Sequence, residues 1–231
     1  MGPPVDYREI SASIATTGMV ARGGFVTWPG DTLTMPDRRA VRCVVVVGNT
    51  GGAMWPRFRA EQPAGPHPLD AWTRAILGPI AARLGAAFVH PSDEPFQPFQ
   101  RWAQRGEEVW QSPIGMLIDR EFGLWHAYRG ALLFPEMVNG LPVVGGDLSP
   151  CLSCADQPCL STCPVDAFTP DRYDVAACSA HVRSSADCLH ADCFHDGCAA
   201  RRACPVGADL AYGADQMEFH MRALIGAERD R

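Results

Sequence analysis

The spacing of hydrophobic residues along the first 150 positions predicts alternating strands and helices. Residues 44–47 are four consecutive valines, which is typical of a buried strand, and the glycine-rich residues 48–52 predict a tight turn after it. Residues 69–84 place large apolar side chains at four-residue intervals, which predicts an amphipathic helix ending at Gly85. The other predicted elements are strands at 86–89 and 130–134 and helices at 99–107 and 215–224. We therefore expect an α/β (α+β) fold.

The connector at residues 142–150 is the clearest candidate for a domain boundary. It begins and ends with proline and contains the pair Gly145-Gly146, a composition that favours turns over regular structure. The predicted organisation is an α/β core domain at 1–147, a small cysteine-rich module at 148–212 and a C-terminal helix at 213–231.

Ten cysteines change this picture, because nine of them lie between Cys151 and Cys204. The tenth, Cys43, stands beside the valine run and is predicted to be a buried apolar residue. A disulfide scaffold would spread its cysteines through a secreted chain, and the N-terminus shows no export signal. The crowding of cysteines into one segment therefore favours metal binding.

Charge and composition exclude several other functions. The net charge of −6 argues against a nucleic-acid-binding protein, which would present a basic face. All twenty positively charged Lys and Arg positions are Arg, so lysine-dependent Schiff-base and P-loop chemistry is excluded. No apolar stretch approaches the roughly 20 residues of a membrane-spanning helix. We expect a cytoplasmic protein that binds neither nucleic acid nor membrane.

The cysteine spacing favours iron–sulfur clusters over zinc. Cysteines 151, 154, 159 and 163 have the spacing C-x2-C-x4-C-x3-C-P, which is the bacterial ferredoxin run with two residues inserted. Cysteines 193, 198 and 204 form a second run that also ends in Cys-Pro, and both runs continue with Pro-Val. Two [4Fe–4S] clusters are therefore predicted. A zinc site that uses the nearby histidines His181, His190 and His195 is the alternative.

The ferredoxin arrangement also predicts which cysteine binds which cluster, because the fourth cysteine of each run ligates the other run's cluster. Applied here, Cys204 completes the first cluster and Cys163 belongs to the second. The predicted ligands are Cys151, Cys154, Cys159 and Cys204 for the first cluster, and Cys163, Cys178, Cys193 and Cys198 for the second. For the eighth ligand, Cys178 is preferred over Cys188, because Cys188 would crowd the following two cysteines.

Two further segments carry a family resemblance. Residues 118–134, with Phe-Gly-Leu-Trp followed by Arg-Gly-Ala-Leu-Leu, resemble a strand of the cobalamin-dependent iron–sulfur reductases, among them epoxyqueuosine reductase and the reductive dehalogenases. Residues 46–56 are similar in position to a strand and loop of the related cobalamin-processing chaperones. The resemblance implies a nitroreductase-like α/β domain followed by a ferredoxin-like two-cluster module. The Arg-Asp-Tyr-His-type motif and the helical-repeat tail of epoxyqueuosine reductase have no counterpart here.

The same two segments contain the candidate residues for an organic cofactor. The glycine-rich loop after the valine strand allows close approach of a cofactor or phosphate, although an ordinary turn explains it as well. Aromatic and basic residues of the second segment are candidates for a pocket lining, and a packed core is the alternative. The predicted cofactor-binding residues are Gly48, Asn49, Gly51, Trp125, Tyr128 and Arg129.

The function predicted from these features is electron transfer through two [4Fe–4S] clusters, with a redox partner protein or a small-molecule electron donor as the partner. One alternative is a reductase that uses cobalamin or a flavin to act on a small substrate. The second alternative is a structural zinc protein. No catalytic residue is identified, so the chain is a candidate oxidoreductase only.

Overall fold

The computed structural model describes residues 5–31, 33–169, 172–186 and 193–227. The chain divides into two compact units. The sheet unit contains residues 1–108 and 126–147, and the cysteine unit contains residues 109–125 and 148–231. Residues 109–125 therefore group with the cysteine-rich segment, although the sequence predicts them to belong to the preceding α/β core domain.

The sheet unit is a mixed helix and strand structure around one four-stranded sheet. Its strands are β1 (Val5–Asp6), β2 (Val20–Val26), β3 (Cys43–Thr50), β4 (Ala87–Val89), β7 (His126–Phe134) and β8 (Val138–Asn139). Its helices are α1 (Tyr7–Ala15), α2 (Trp55–Glu61), α3 (Pro68–Arg83) and α4 (Phe99–Gly106). The main sheet has the order β2-β3-β7-β4, and all three pairings are antiparallel. The short strands β1 and β8 pair in parallel, Val5 with Val138 and Asp6 with Asn139. The architecture is therefore α+β.

The valine strand lies at the centre of this sheet. Residues 43–49 of β3 are all fully buried, because strands and helices cover both faces. On one face, Val44 and Val46 join a core that includes Trp102 of α4 and Leu133 of β7. The predicted helix at 69–84 is α3, and it buries Trp72 and Ile80. The hydrophobic pattern thus located the central strand and the main helix.

The end of β3 differs from the prediction. The strand continues through Thr50, so Gly48 and Asn49 are strand residues, and the turn begins only at Gly51, where φ is +52°. A β-bulge explains how this end is accommodated. Val47 pairs with Gly130 and Gly48 pairs with Tyr128, which leaves Arg129 as the extra residue of β7.

The cysteine unit consists of short elements joined by turns. Its strands are β5 (Val109–Gln111), β6 (Leu117–Asp119), β9 (Phe168–Thr169) and β10 (Arg172–Tyr173), which form two antiparallel hairpins, β5-β6 and β9-β10. Its helices are α5 (Pro158–Ser161), α6 (Val175–Ser185), α7 (Ala199–Arg202) and α8 (Ala214–Ala227). The apolar core under the β5-β6 hairpin contains Ile118 and Leu124 together with Cys159 and Cys204. Cysteine side chains therefore occupy the core of this unit.

Among the helices of the described residues, none combines the length and the apolar character that crossing a membrane requires.

Candidate metal centre

Four of the cysteines line one small cavity of the cysteine unit. They are Cys151, Cys154, Cys159 and Cys204, and they are called the first thiol group below. The cavity encloses about 380 Å³ not filled by protein atoms, part of which is open to solvent. Its other lining residues are almost all apolar, among them Ile118, Leu124 and Val206. The three cysteines from the first run and the single cysteine from the second run are those that the sequence predicts to meet.

Local turns position two of these thiols, Cys151 and Cys159. Cys151 lies in a 3₁₀ turn, Pro150–Ser153, where the Oγ atom of Ser149 accepts a hydrogen bond from the Cys151 backbone N–H at 3.3 Å. Cys159 lies in α5, whose first residue is a proline, which suits the first turn of a helix. The preceding residue, Gln157, has a φ of +36° and reverses the chain direction. Two short turns therefore direct thiols toward one cavity.

Burial and mutual repulsion raise the pKa of two of these thiols, Cys159 and Cys204. Burial raises the pKa of the Cys159 thiol, and the neighbouring thiols of the group raise it further by charge repulsion. Burial likewise raises the pKa of Cys204, where Cys151 and Cys154 contribute repulsion and a hydrogen bond from the backbone N–H of Val206 opposes the shift. Four thiolates in one apolar cavity require a compensating positive charge, and metal ions supply it.

The remaining described cysteines of the segment are Cys163, Cys178, Cys193 and Cys198, called the second thiol group below. Cys178 packs against the core that contains Cys193, whereas Cys163 and Cys198 pack against the core that contains Cys159 and Cys204. Burial raises the pKa of the Tyr173 phenol, and the neighbouring Cys178 thiol, together with Cys198 and Cys163, raises it further. Burial raises the pKa of Cys198 to about 11, with repulsion from Cys193 and Cys178 as further contributions. This set is the one predicted for the second cluster.

Helices α6 and α8 position two members of the second thiol group. Asp174 caps the N-terminus of α6 by accepting a hydrogen bond from the Ala177 N–H at 3.0 Å, and the helix presents Cys178 one turn later. Cys193 packs in a small apolar core with Phe194 and with Met221 of α8. The predicted C-terminal helix is therefore part of the packing around this group.

Cys204 reaches the first thiol group because the chain around it is fastened to residues 122–124. A Cβ atom on Gly123 would lie 1.8 Å from the Val206 carbonyl oxygen, and one on Gly207 would lie 2.5 Å from the Phe122 carbonyl carbon. Both glycines have positive φ angles, +56° and +65°. Only glycine allows two backbones to approach this closely in this conformation. Sequence analysis missed this contact, although the glycine of the second Cys-Pro-Val-Gly was a signal for it.

Arg201 strengthens the same attachment. Its guanidinium donates hydrogen bonds from Nε and Nη2 to the Leu124 carbonyl oxygen, at 3.1 Å and 2.5 Å. The guanidinium also lies over the rings of Trp125 and Tyr212, with its central carbon 4.4 Å and 4.6 Å from the ring centroids. Trp125, a predicted cofactor-binding residue, is buried in this stack within the cysteine unit. Its ring therefore contributes cation–π packing that holds Arg201 between Cys198 and Cys204.

The two thiol groups are joined by two short helices. Helix α5 contains Cys159 of the first group and is followed two residues later by Cys163 of the second group. Helix α7 separates Cys198 of the second group from Cys204 of the first, and α5 packs against α7. A helix of four residues is about 6 Å long. The groups are therefore connected twice by short covalent segments.

The described residues contain no set of three or more His, Cys, Asp or Glu side chains close enough together to bind one metal ion. In a tetrahedral thiolate site a Zn–S bond of about 2.3 Å brings the sulfur atoms within about 4 Å of each other. A [4Fe–4S] cluster binds one thiolate at each of its four irons, so its thiolates lie farther apart than those around a single metal ion. Of the histidines in the zinc alternative, His195 lies with Nδ1 3.3 Å from Glu218 Oε2, and His190 lies outside the described residues.

The predicted cofactor-binding residues of the sheet unit lie together, near the end of β3 and near the start of β7. Asn49 is fully buried, accepts a hydrogen bond from Arg129 Nε at 3.0 Å and donates one to the Gly51 carbonyl oxygen. The Tyr128 hydroxyl donates to Glu107 at 2.6 Å. A Cβ on Gly48 would lie 2.1 Å from the carbonyl oxygen of Ala127 on the neighbouring strand. These residues therefore have structural partners, and their binding of a cofactor stays a prediction.

Two other cysteines complete the set. Cys43 is fully buried in the sheet unit, where its sulfur accepts a hydrogen bond from the Val138 N–H at 3.4 Å. The environment agrees with the predicted role as a buried apolar residue. Cys188, the alternative eighth ligand, lies outside the described residues.

Two comparisons with known proteins give no relative from which a role for these residues could be inferred. A scan against protein-family models and a search of curated proteins found no match to the chain. The function must therefore be inferred from the arrangement of the chain's own residues, above all from its two groups of thiols.

Proposed function

We propose that this protein transfers electrons through two [4Fe–4S] clusters, each bound by one of the two thiol groups. The observation that carries the proposal is that cysteines of both Cys-Pro runs line one cavity. Cys204 of the second run lines it with three cysteines of the first run, Cys151, Cys154 and Cys159. Completion of one run's cluster by a cysteine of the other run is the ligand pattern of two-cluster ferredoxins.

The chemistry of the donors fits the proposed clusters. Each group offers four thiols, the number that a [4Fe–4S] cluster requires, in an apolar setting. Backbone N–H groups already point at several of the sulfur atoms, for example from Ala167 to Cys163 at 3.3 Å. Such hydrogen bonds stabilise negative charge on thiolate ligands. When bound, the clusters would supply reversible one-electron transfer.

The residues of this chain would contribute three things to electron transfer. The thiols hold the iron, and the apolar residues around them limit access of water. The short helices α5 and α7 keep the two groups near each other, which suits passage of electrons from one to the other. The resemblance to the cobalamin-dependent iron–sulfur reductases extends this proposal to a nitroreductase-like domain followed in the chain by a ferredoxin-like module.

The proposal predicts the metal content of the protein. Anaerobically prepared protein should contain about eight irons and about eight acid-labile sulfides per chain. Dithionite should bleach its broad visible absorption, because this absorption arises from sulfur-to-iron charge transfer and weakens when the iron is reduced. Iron and sulfide assays, together with electron paramagnetic resonance (EPR) of the reduced protein, measure both results.

The alternatives give different results in the same measurements. Stoichiometric zinc without acid-labile sulfide would contradict the proposal and establish the structural zinc protein. A full complement of iron combined with a spectral shift of added hydroxocobalamin or flavin would establish a reductase with an additional cofactor. A full complement of iron without such binding agrees with the simple electron carrier.

A further inference from the structure

The side chain of Ser112 is one of the buried polar groups of the cysteine unit that have no hydrogen-bond partner among the described residues. Ser112 is 6% exposed, and among the described residues its Oγ atom has no hydrogen-bond partner. Its backbone is satisfied, since its N–H donates to Met116 and its carbonyl oxygen accepts from Gly115. A buried hydroxyl without a partner is unfavourable, because it has lost its hydrogen bonds to water without replacement. The hydroxyl can therefore donate a hydrogen bond to an acceptor that the described residues do not provide.

The position of Ser112 shows where that acceptor would be. Ser112 lines the cavity of the first thiol group together with the four cysteines of that group. Apart from Gln157, the other residues in the lining are Pro, Ile, Leu and Val, so Ser112 supplies the only hydroxyl among them. Ser112 and the four cysteines therefore share one cavity, and a cluster bound there would bring sulfur acceptors to it.

The hairpin β5-β6 holds Ser112 in a defined place. Ser112 directly follows β5, and the next residues, Pro113 and Gly115, form the turn that leads into β6. Proline restricts the backbone here, and Gly115 adopts a φ of +78° that closes the turn. Ile114 and Ile118 anchor the hairpin in the apolar core beneath it. A hydroxyl on such a hairpin is positioned before any ligand binds.

We propose that Ser112 donates a hydrogen bond to a sulfur atom of the cluster bound by the first thiol group and thereby raises the reduction potential of that cluster. The inference rests on the proposed function, which it deepens by naming a residue that sets the driving force of electron transfer. One-electron reduction adds one negative charge to the cluster and breaks no bond. A hydrogen-bond donor stabilises the more negative, reduced form more than the oxidised form.

The test compares Ser112→Ala with two matched variants. Ser112→Thr retains a hydroxyl, and Ser153→Ala removes an exposed serine hydroxyl of the same cysteine segment that does not line the cavity. EPR-monitored dithionite titrations measure the two cluster potentials of each protein. In Ser112→Ala the equilibrium constant for reduction of one cluster should fall about tenfold, which is about 59 mV for a one-electron couple. The other potential, and both potentials in Ser112→Thr and Ser153→Ala, should remain those of the native protein.

A second measurement reports the hydrogen bond directly. The iron–sulfur stretching bands in resonance Raman spectra of the native protein should shift in D₂O, and this shift should be smaller in Ser112→Ala. An unchanged potential together with an unchanged D₂O shift would overturn the inference and leave the proposed function standing, as expected if a water molecule satisfies the hydroxyl. Loss of iron from both Ser112 variants but not from Ser153→Ala would also overturn it, because Ser112 would then be needed to hold the cluster. Absence of iron and sulfide from native protein would instead contradict the proposed function itself.

Discussion

Replacement of Cys204 with serine is expected to remove about four of about eight irons per chain. Cys204 is the member of the first thiol group that comes from the second Cys-Pro run, so its loss should empty the first group and leave the second group intact. Cys159→Ser should remove the same four irons, because Cys159 lines the same cavity. Iron and sulfide counting, with EPR of the cluster that remains, measures the result.

Three further variants sharpen this experiment. Cys43→Ser should retain all the iron, because Cys43 is buried in the sheet unit beside Val138. Cys178→Ser should remove iron from the second group instead, while Cys188→Ser should leave the iron content unchanged. Full retention of iron in Cys204→Ser would refute the exchange of ligands between the runs. The reverse result for Cys178 and Cys188 would only transfer the eighth ligand to Cys188.

Gly123→Ala is expected to destabilise the cysteine unit by about 3 kcal/mol or more. The added Cβ would lie 1.8 Å from the Val206 carbonyl oxygen, and the φ of +56° strains any residue with a side chain. Backbone atoms of both segments would have to separate, and Cys204, two residues before Val206, would shift with them. Urea unfolding should therefore show lower stability, and iron counting should show partial loss from the first thiol group.

Gly226→Ala is the matched control for this substitution. Gly226 lies in α8 of the same unit, and no atom of the described residues outside the neighbouring backbone of this helix lies within 4 Å of the position of an added Cβ. Alanine in a helix is favoured over glycine by about 1 kcal/mol, so this variant should be as stable as the native protein or more so. If Gly123→Ala and Gly226→Ala were equally stable, the close backbone contact would not exist in solution.

Much of the sheet unit was predictable because its signals are local. Four consecutive β-branched residues favour a buried strand wherever they lie, and β3 includes all of them. The four-residue apolar spacing predicted α3 within one residue at each end. The predicted end of β3 was wrong, because Gly48 was assigned to a turn. A glycine is required at position 48 because the backbone of the neighbouring strand approaches it closely, and local sequence does not show such an approach.

The proposed chemistry of the cysteine segment also comes from the sequence, because the number, spacing and prolines of the two runs favour iron–sulfur clusters over zinc. What the tertiary structure decided was the proximity of residues distant in sequence. Residues 122–124 touch the chain around Val206 and Gly207, and Arg201 bonds to Leu124 across 77 positions. Hydrophobic periodicity reports which face of an element is buried, but not what covers it. For that reason Ser112 was not identified as a neighbour of the first thiol group until the fold placed its hydroxyl in the same cavity.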